Sequence, residues 1–357
     1  METLQRLNIA NTTQPRLKTL YLTGYGVKLS KKQERFMVTQ EGETIQHIPV
    51  IHVHQIILFG TVQLTTQIMQ YCLKENIPIY FLSRTGKYQG MLDKHSTNAV
   101  QLQRQQYHKS EDSVFCLQIA QQFIHGKISN TRLLLQRLKR SQPEHELVLQ
   151  TAIKHLNIYI KQINTSTYID ELLGIEGIAA RTYFQTLANI IPKQWHFSKR
   201  NKYPPKDPVN ALLSFGYALL FQNTYSFIKI AGLNPHIAYL HRPRQGHPAL
   251  ASDLMEEFRS VIVDAVVFNL IFNNKLNPDD FELATNEKES CYIKPHARKI
   301  FIQQIENKFN SAIRHPVTGL KIDYRRCIEH QTKHLAQLIR DDNNETSEAY
   351  YQAAIFR

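Results

Sequence analysis

Cysteine is scarce in this chain: four in 357 residues, Cys72, Cys116, Cys291 and Cys327, far apart and with no CxxC pair. That spacing excludes a disulfide framework and a zinc site built on cysteine. Long hydrophobic runs are missing too. The most apolar stretch, residues 261–272, is broken by Asp264 and Asn269 and falls short of the ~20 residues that a membrane span needs. Residues 1–16 are polar and carry no secretory pattern. Thirteen glycines and 14 prolines are too few for a collagen-like or mucin-like chain. There is no GxxxxGK[ST] phosphate loop, no GxGxxG after a strand, no GxSxG elbow and no HExxH. Nucleotide hydrolysis and serine-hydrolase chemistry therefore have no footing. What these absences leave is an expected soluble, cytoplasmic protein without a membrane partner.

What is abundant is positive charge. Forty-three Lys and Arg face 30 Asp and Glu, a formal net charge of +13. Such an excess points to a polyanionic partner, nucleic acid before an anionic membrane surface. With 42% hydrophobic residues, 17 Tyr and 17 Phe, the chain can bury a sizeable core. Its length suits two domains at about 100–200 residues each.

Residues 17–23, 26–30, 35–39, 44–48 and 51–58 are short runs rich in Val, Ile, Tyr, Phe and Thr, punctuated by Gly24, Gly26, Gly42 and Pro49. They predict a meander of short strands. A helix is expected over 65–74 and further strands over 77–83 and 86–92. From about residue 97 the apolar period becomes 3.6, predicting helices over 100–108, 114–140, 144–163, 169–191, 208–231, 248–273, 297–309 and 324–340. Asp207 before Pro208 is a helix-start signal, a capping carboxylate followed by proline at the first helical position. The expected fold class is α+β: a small β-rich N-terminal domain (1–95), a hinge at 96–98 and a larger all-α domain (99–357). Residues from 341 on read as a loose polar end, with Tyr350 and Tyr351 the candidates to dock.

Within the helix expected over 169–191, Glu176 falls on the apolar stripe that runs through Leu173, Ala180, Tyr183, Phe184 and Leu187. A carboxylate turned inward needs a partner, either a cation or a metal. Gly174 and Gly177 beside it suggest close approach to the backbone, since each costs a helix about 1 kcal/mol relative to Ala. In the helix expected over 248–273, Asp253, Glu256, Glu257, Ser260 and Asp264 form one polar stripe. Asp253 and Glu256, a turn apart, could reach one ion, although acids in a first turn are also ordinary dipole decoration. His241 closes an apolar run ahead of a basic loop with Arg242 and Arg244, 12 to 15 residues before those acids. Two carboxylates and an imidazole suit Mn²⁺ or Mg²⁺. The same His could equally be a satisfied core residue.

Two further segments are basic. Residues 195–206 mix Trp195, Phe197 and Tyr203 with Lys199, Arg200 and Lys202, a composition able to follow a phosphate backbone and stack a base. Lys127, Asn130, Arg132, Arg137, Lys139 and Arg140 mark a basic helix, whose bland reading is a solvated face.

Three ordered blocks resemble the CRISPR-associated integrase-endonuclease family of spacer acquisition (the Cas-one family). They are residues 172–184 around Glu176, 207–217 beginning Asp207-Pro208-Val209-Asn210, and 232–241 ending in His241 together with 252–259 around Asp253 and Glu256. The likeness extends over about residues 17–340. It implies a homodimer that inserts short double-stranded DNA fragments as new spacers into a CRISPR array by 3′-hydroxyl transesterification. A small companion Cas protein would be its partner, and the N-terminal domain would supply dimer and partner contacts. Carried over by position, Glu176, His241 and Glu256 would hold Mn²⁺ or Mg²⁺, Asp253 would be a fourth catalytic residue, and Arg200, Lys202, Arg242, Arg244 and Arg259 would contact DNA. Ala238 and Ser260 depart from the family pattern without touching a proposed ligand. The residue pattern alone leaves two alternatives open, a helical nucleic-acid-binding scaffold and a repair nuclease unrelated to CRISPR.

Overall fold

The computed structural model describes residues 18–83, 88–92, 94, 99–202, 204–242, 244–283, 290–340 and 350–356. Contacts divide the chain into two compact units, Met1–His95 and Ser96–Arg357. The expected hinge at 96–98 lies outside the described residues.

The first unit is β-rich, but it is not a simple meander. Strands β1 (Lys18–Thr23), β2 (Val27–Lys32), β3 (Arg35–Gln40), β4 (Glu43–Pro49), β5 (Val53–Phe59), β6 (Gln63–Leu64), β7 (Ile79–Leu82) and β8 (Tyr88–Leu92) form two four-stranded sheets, with helix α1 (Thr66–Lys74) between β6 and β7. One sheet has the order β4-β3-β2-β6 and the other β1-β5-β7-β8. β1 with β5, and β5 with β7, run parallel. The reason is visible in the sequence of β5: all seven residues of Val-His-Gln-Ile-Ile-Leu-Phe are buried. A strand buried on both faces suits the middle of a parallel sheet better than a half-solvated hairpin. In β2 and β3, Val27, Leu29, Phe36 and Val38 alternate inward and join Ile56, Leu58, Ile68 and Cys72 in one core. Glu41 and Gly42, both at positive φ, turn β3 into β4.

The second unit is built on helices α2 (Val100–Glu111), α3 (Ser113–Ser141), α4 (Glu146–Ile163), α5 (Ile169–Ile190), α6 (Pro208–Ile230), α7 (Ala249–Met255) and α8 (Ala265–Phe272). Two small antiparallel pairs follow or flank the rest: β9 (Phe281–Glu282) with β10 (Tyr292–Ile293), and β11 (Ala312–Arg314) with β12 (Lys321–Asp323). Helices α9 (Pro295–Phe309) and α10 (Tyr324–Arg340) complete it. Among the described residues the unit is therefore helical with two small antiparallel strand pairs rather than all-α. Asp112 separates α2 from α3 by accepting hydrogen bonds from Val114 N and Phe115 N at 2.9 and 3.1 Å. Asp207 caps α6 as expected, its Oδ1 2.9 Å from Asn210 N. α6 is buried nearly all round, the mark of a central helix.

The single helix expected over 248–273 is broken. After α7 the chain makes a turn at 256–258 and a π-helical segment, Arg259–Asp264, before α8 resumes. Gly216 on α6 faces this segment so closely that a Cβ there would lie 2.5 Å from Val263 Cγ1 and 3.1 Å from Phe301 Cζ. Of the expected loose end, residues 341–349 lie outside the described residues, and residues 350–356 dock. Tyr351, Ala353, Ala354 and Phe356 are buried; Asn130 donates to Ala354 O (2.8 Å) and accepts from Phe356 N (2.9 Å), and Arg137 donates to Phe356 O (3.0 Å). Tyr350 stays exposed.

Gly216→Ala is expected to destabilise the protein by about 1–3 kcal/mol through overpacking. Gly177→Ala, where an added Cβ would meet nothing within 4 Å, is expected to stabilise by up to about 1 kcal/mol. Urea unfolding of both variants checks the contrast; equal shifts would contradict it. His315 is 1% exposed and lies beside His330, ring centroids 5.6 Å apart. Burial, then the neighbouring imidazoles of His330 and His334, lowers its pKa to about 4. Its stabilising neutral state is kept above the unfolded value of about 6.5 and lost as pH falls toward 4, because the unfolded chain then binds the extra proton. The denaturant midpoint should drop between about pH 7.5 and about pH 5, and less so in His315→Asn. An identical drop in that variant would assign the acid sensitivity elsewhere.

Candidate active site

The stretch from α7 to the π-helical segment contains four buried carboxylates, Asp253, Glu256, Glu257 and Asp264. They do not form the solvated stripe that a regular helix would give. The break at 256–258 turns them toward four different neighbours, and each neighbour supplies donors, as buried charge requires. π-helical insertions of this kind recur at functional sites.

Asp253 faces the loop that precedes α7. Its Oδ2 accepts from Tyr239 N (2.8 Å) and Leu240 N (2.9 Å), and its Oδ1 from His241 N (3.1 Å) and His241 Nδ1 (2.7 Å). A carboxylate can only accept, so Nδ1 carries the proton and Nε2 is left as the free ring nitrogen. That hydrogen bond is the main reason His241 has a raised pKa; burial opposes it, and the charges of Asp253, Glu256 and Glu176 add to the rise. Asp253 thus engages both oxygens with the loop and the ring. Gln106 on α2, fully buried, clamps the same loop, accepting from Asn234 N (2.7 Å) and donating to Asn234 O (2.9 Å) and Ile237 O (3.0 Å).

Glu256 faces α3. Its Oε2 lies 2.7 Å from Lys127 Nζ and 2.9 Å from Arg259 Nε. Burial pushes its carboxyl up, but Arg259 and Lys127 outweigh burial and hold it below the usual carboxylate range. Lys127 also donates to Glu176 Oε1. One ammonium therefore joins the two carboxylates that come from α5 and from the α7 break. Glu176 sits on the buried side of α5 as expected, though that side runs Leu172, Ala179, Tyr183 and Ile190 rather than Leu173 and Ala180. Among the described residues nothing lies within 4 Å of a Cβ added at Gly174 or Gly177.

Glu257 accepts from Tyr351 Oη, from Gln331 Nε2 (2.9 Å) and from Ala354 N (2.7 Å). Burial nevertheless pushes its carboxyl up to about 7. Asp264 accepts from Tyr183 Oη (2.7 Å) and Tyr217 Oη (2.6 Å), with burial raising its pKa. Arg259 lies over the Tyr217 ring, 4.6 Å from its centroid.

The basic candidates separate into two groups. Lys202, Arg242 and Arg244 are exposed, Arg242 in a solvent-facing pair with Asp170 at 3.1 Å. Arg200 is held inside, donating to Asn201 O, to Asn210 Oδ1 (2.8 Å) and to Ser214 Oγ (3.1 Å). Arg259 is committed to Glu256 and Tyr217. Both arginines are half-buried. Trp195 and Phe197 are buried, which removes the base-stacking expectation for them; Tyr203 lies outside the described residues. The basic helix is likewise a scaffold. Lys127, Asn130, Arg132 and Arg137 are engaged inside the unit, Arg132 with Asn157 Oδ1 at 2.7 Å.

Among the described residues, no three His, Cys, Asp or Glu side chains are grouped closely enough to hold a metal ion. The chemistry of the donors still suits a divalent cation: two carboxylates gathered round one positive charge, and within electrostatic reach of both an imidazole whose ring is fixed by a carboxylate.

Residues 20–307 match the family model described as CRISPR associated protein Cas1. The chain is 32% identical over 334 residues to the CRISPR-associated endonuclease Cas1 1 of Moorella thermoacetica, covering 92% of this chain and 97% of that one. It is 32% identical over 326 residues to a fusion of exonuclease Cas4 and endonuclease Cas1 from Geobacter sulfurreducens, covering 90% of this chain and 58% of the fusion. Among solved structures, a chain of a Cas6-RT-Cas1–Cas2 complex superposes with a TM-score of 0.81 at 25% identity, over 97% of this chain and 37% of that one. A casposase bound to integration product superposes with a TM-score of 0.78 at 24% identity over 96% of each, a likeness of fold. The class is that of the CRISPR-associated endonucleases. Within it, this chain belongs to the Cas1 family.

Asp253→Asn is expected to cost about 2–4 kcal/mol, because four hydrogen bonds to a buried charge lose the charge and one acceptor oxygen. The Hδ1 resonance of His241, expected downfield in the wild type because of the Asp253 hydrogen bond, should broaden or vanish. Unchanged stability with an unchanged Hδ1 signal would remove Asp253 from its positioning role.

Proposed function

We propose that this chain is a divalent-metal-dependent DNA endonuclease and integrase of CRISPR adaptation, acting through Glu176, Glu256 and His241. The observation that carries the reading is the gathering of two carboxylates from separate elements round one cation, within electrostatic reach of an imidazole whose Nδ1 is held by Asp253. Glu176, Glu256 and His241 Nε2 would hold Mn²⁺ or Mg²⁺. When bound, such an ion supplies charge stabilisation for phosphoryl oxygens.

The protein's own groups set the stage for that chemistry. Asp253 and Gln106 fix the loop that carries His241, so Nε2 rather than Nδ1 is offered. Arg259 keeps Glu256 ionised and aimed, and Asp264 with Tyr217 supports Arg259 from behind. Lys202, Arg242 and Arg244, exposed and basic, would follow DNA phosphates. In the reaction a fragment's 3′-oxygen forms a new bond to a repeat phosphorus while the bond to the repeat strand's own 3′-oxygen breaks. The proton leaves the attacking hydroxyl and the departing oxygen regains one. With water as the attacking group the same site cleaves DNA.

A homodimer joined through the β-rich unit, working on double-stranded DNA with a small companion Cas protein, completes the proposal. The superposed chain comes from a Cas6-RT-Cas1–Cas2 complex, which supports such a partner. Among the described residues no helix is long and apolar enough to cross a membrane, which accords with a proposed cytoplasmic site of action.

The test is transfer of a labelled duplex into a repeat-bearing plasmid, with the companion protein present and with Mn²⁺, Mg²⁺ or EDTA. Transfer should require metal and fall at least about a hundredfold in Glu176→Gln, since losses of outer-shell groups alone reach ten- to a hundredfold. Salt-sensitive DNA binding with neither transfer nor cleavage under any metal would instead establish a non-catalytic scaffold.

A further inference from the structure

The proposed metal set contains a resident positive charge. Lys127 Nζ is 2.7 Å from Glu256 Oε2 and hydrogen-bonded to Glu176 Oε1, and its side chain is 20% exposed. It is anchored on α3, the 29-residue helix that also carries the tail contacts through Asn130. Burial lowers its pKa, but Glu256 and Glu176 more than restore it, so the ammonium stays charged. Among the described residues Lys127 is the ion-pair partner of Glu176, whereas Glu256 has Arg259 as a second one.

We propose that Lys127 is a tethered counter-cation that holds Glu176 and Glu256 together before metal arrives and competes with the divalent ion for their oxygens. This rests on the metal reading of the same three residues. Two carboxylates this near one another repel unless a cation lies between them, and the unliganded site would spread or take up a proton. The ammonium supplies that cation from within the chain. A divalent ion binding both carboxylates needs the same oxygens at coordination distance, so the ammonium has to withdraw along its flexible four-carbon stem. Glu256 keeps Arg259 when this happens, so the exchange falls mainly on the Lys127–Glu176 contact. Lys127 then sets metal affinity: it weakens binding by the free energy of the pair that must be broken. A released ammonium beside the metal would face the phosphate of the DNA.

The measurement is Mn²⁺ binding by titration calorimetry at fixed ionic strength, with metal-free melting followed by circular dichroism. Lys127→Gln should bind Mn²⁺ about tenfold tighter than the wild type, the equivalent of one modest ion pair, and melt lower without metal. Lys127→Arg, which keeps the charge, should stay within about threefold of the wild type. Glu176→Gln should lose binding in every background. If Lys127→Gln binds no tighter than the wild type, or more weakly, the counter-cation is refuted while the metal site stands. If the folded wild type binds no Mn²⁺ at millimolar concentration, the metal reading fails and the inference falls with it. A readout on the unaltered protein guards against a variant that does not fold. The Lys127 Nζ resonance should shift with Mg²⁺ in step with the heat of binding, and an unmoved resonance during saturable binding refutes the exchange.

Discussion

Everything around the site follows from the burial of four carboxylates within twelve residues. Asp253, Glu256, Glu257 and Asp264 are each 2% exposed or less, and an unpaired charge at that depth would cost more than the fold could bear. Each therefore draws in a different part of the helical unit. Asp253 organises the 239–241 loop and its histidine, Glu256 takes Lys127 and Arg259, Glu257 fastens the C-terminal tail, and Asp264 ties α5 to α6 through two tyrosines. A regular helix would point several of these acids the same way. The turn at 256–258 and the π-helical segment fan them out.

That arrangement explains how the proposed site, drawn from three separated segments, is made rigid. Glu176 comes from α5, His241 from a loop, Glu256 from the helix break, and Lys127 on α3 touches both glutamates. α3 is also packed against α4 and α5 and threaded by the tail through Asn130 and Arg137. Outer contacts such as Asp253 to His241 and Arg259 to Glu256 remove freedom from the inner residues, which is how a protein prepares a charged site for a ligand. The tail's last residues belong to this support, since Ala354 and Tyr351 close over the side chain next to Glu256.

The positive charge of the chain is divided between two uses. Arg200, Arg259, Lys127, Arg132 and Arg137 are internal fasteners, matched to carboxylates, amides and carbonyls. Lys202, Arg242 and Arg244 are exposed, and in the proposed function they would meet the DNA. A count of basic residues cannot make that division, because the same side chain snorkels to water or turns inward according to what lies opposite it.

The sequence by itself determined the order of elements and most of their bounds. The strand runs of the N-terminal unit, the helix 324–340 and the Asp207 cap all follow from period, β-branching and capping chemistry, which are local properties. It also singled out Glu176, since a carboxylate on an apolar stripe is legible without a fold. The parallel pairing of β1, β5 and β7 was not legible as a meander was read, because pairing is decided by which strands are buried on both faces. Nor were the break after Met255, the docking of residues 350–356, the clamp by Gln106 or the pairing of Lys127 with Glu176 and Glu256. Each depends on residues far apart in the chain that meet only once the helices pack. A lysine on a long polar helix carries no mark of its partners. Tertiary structure decided that Lys127 faces two carboxylates rather than water, because burying those acids demanded a cation and α3 was the element that could supply one.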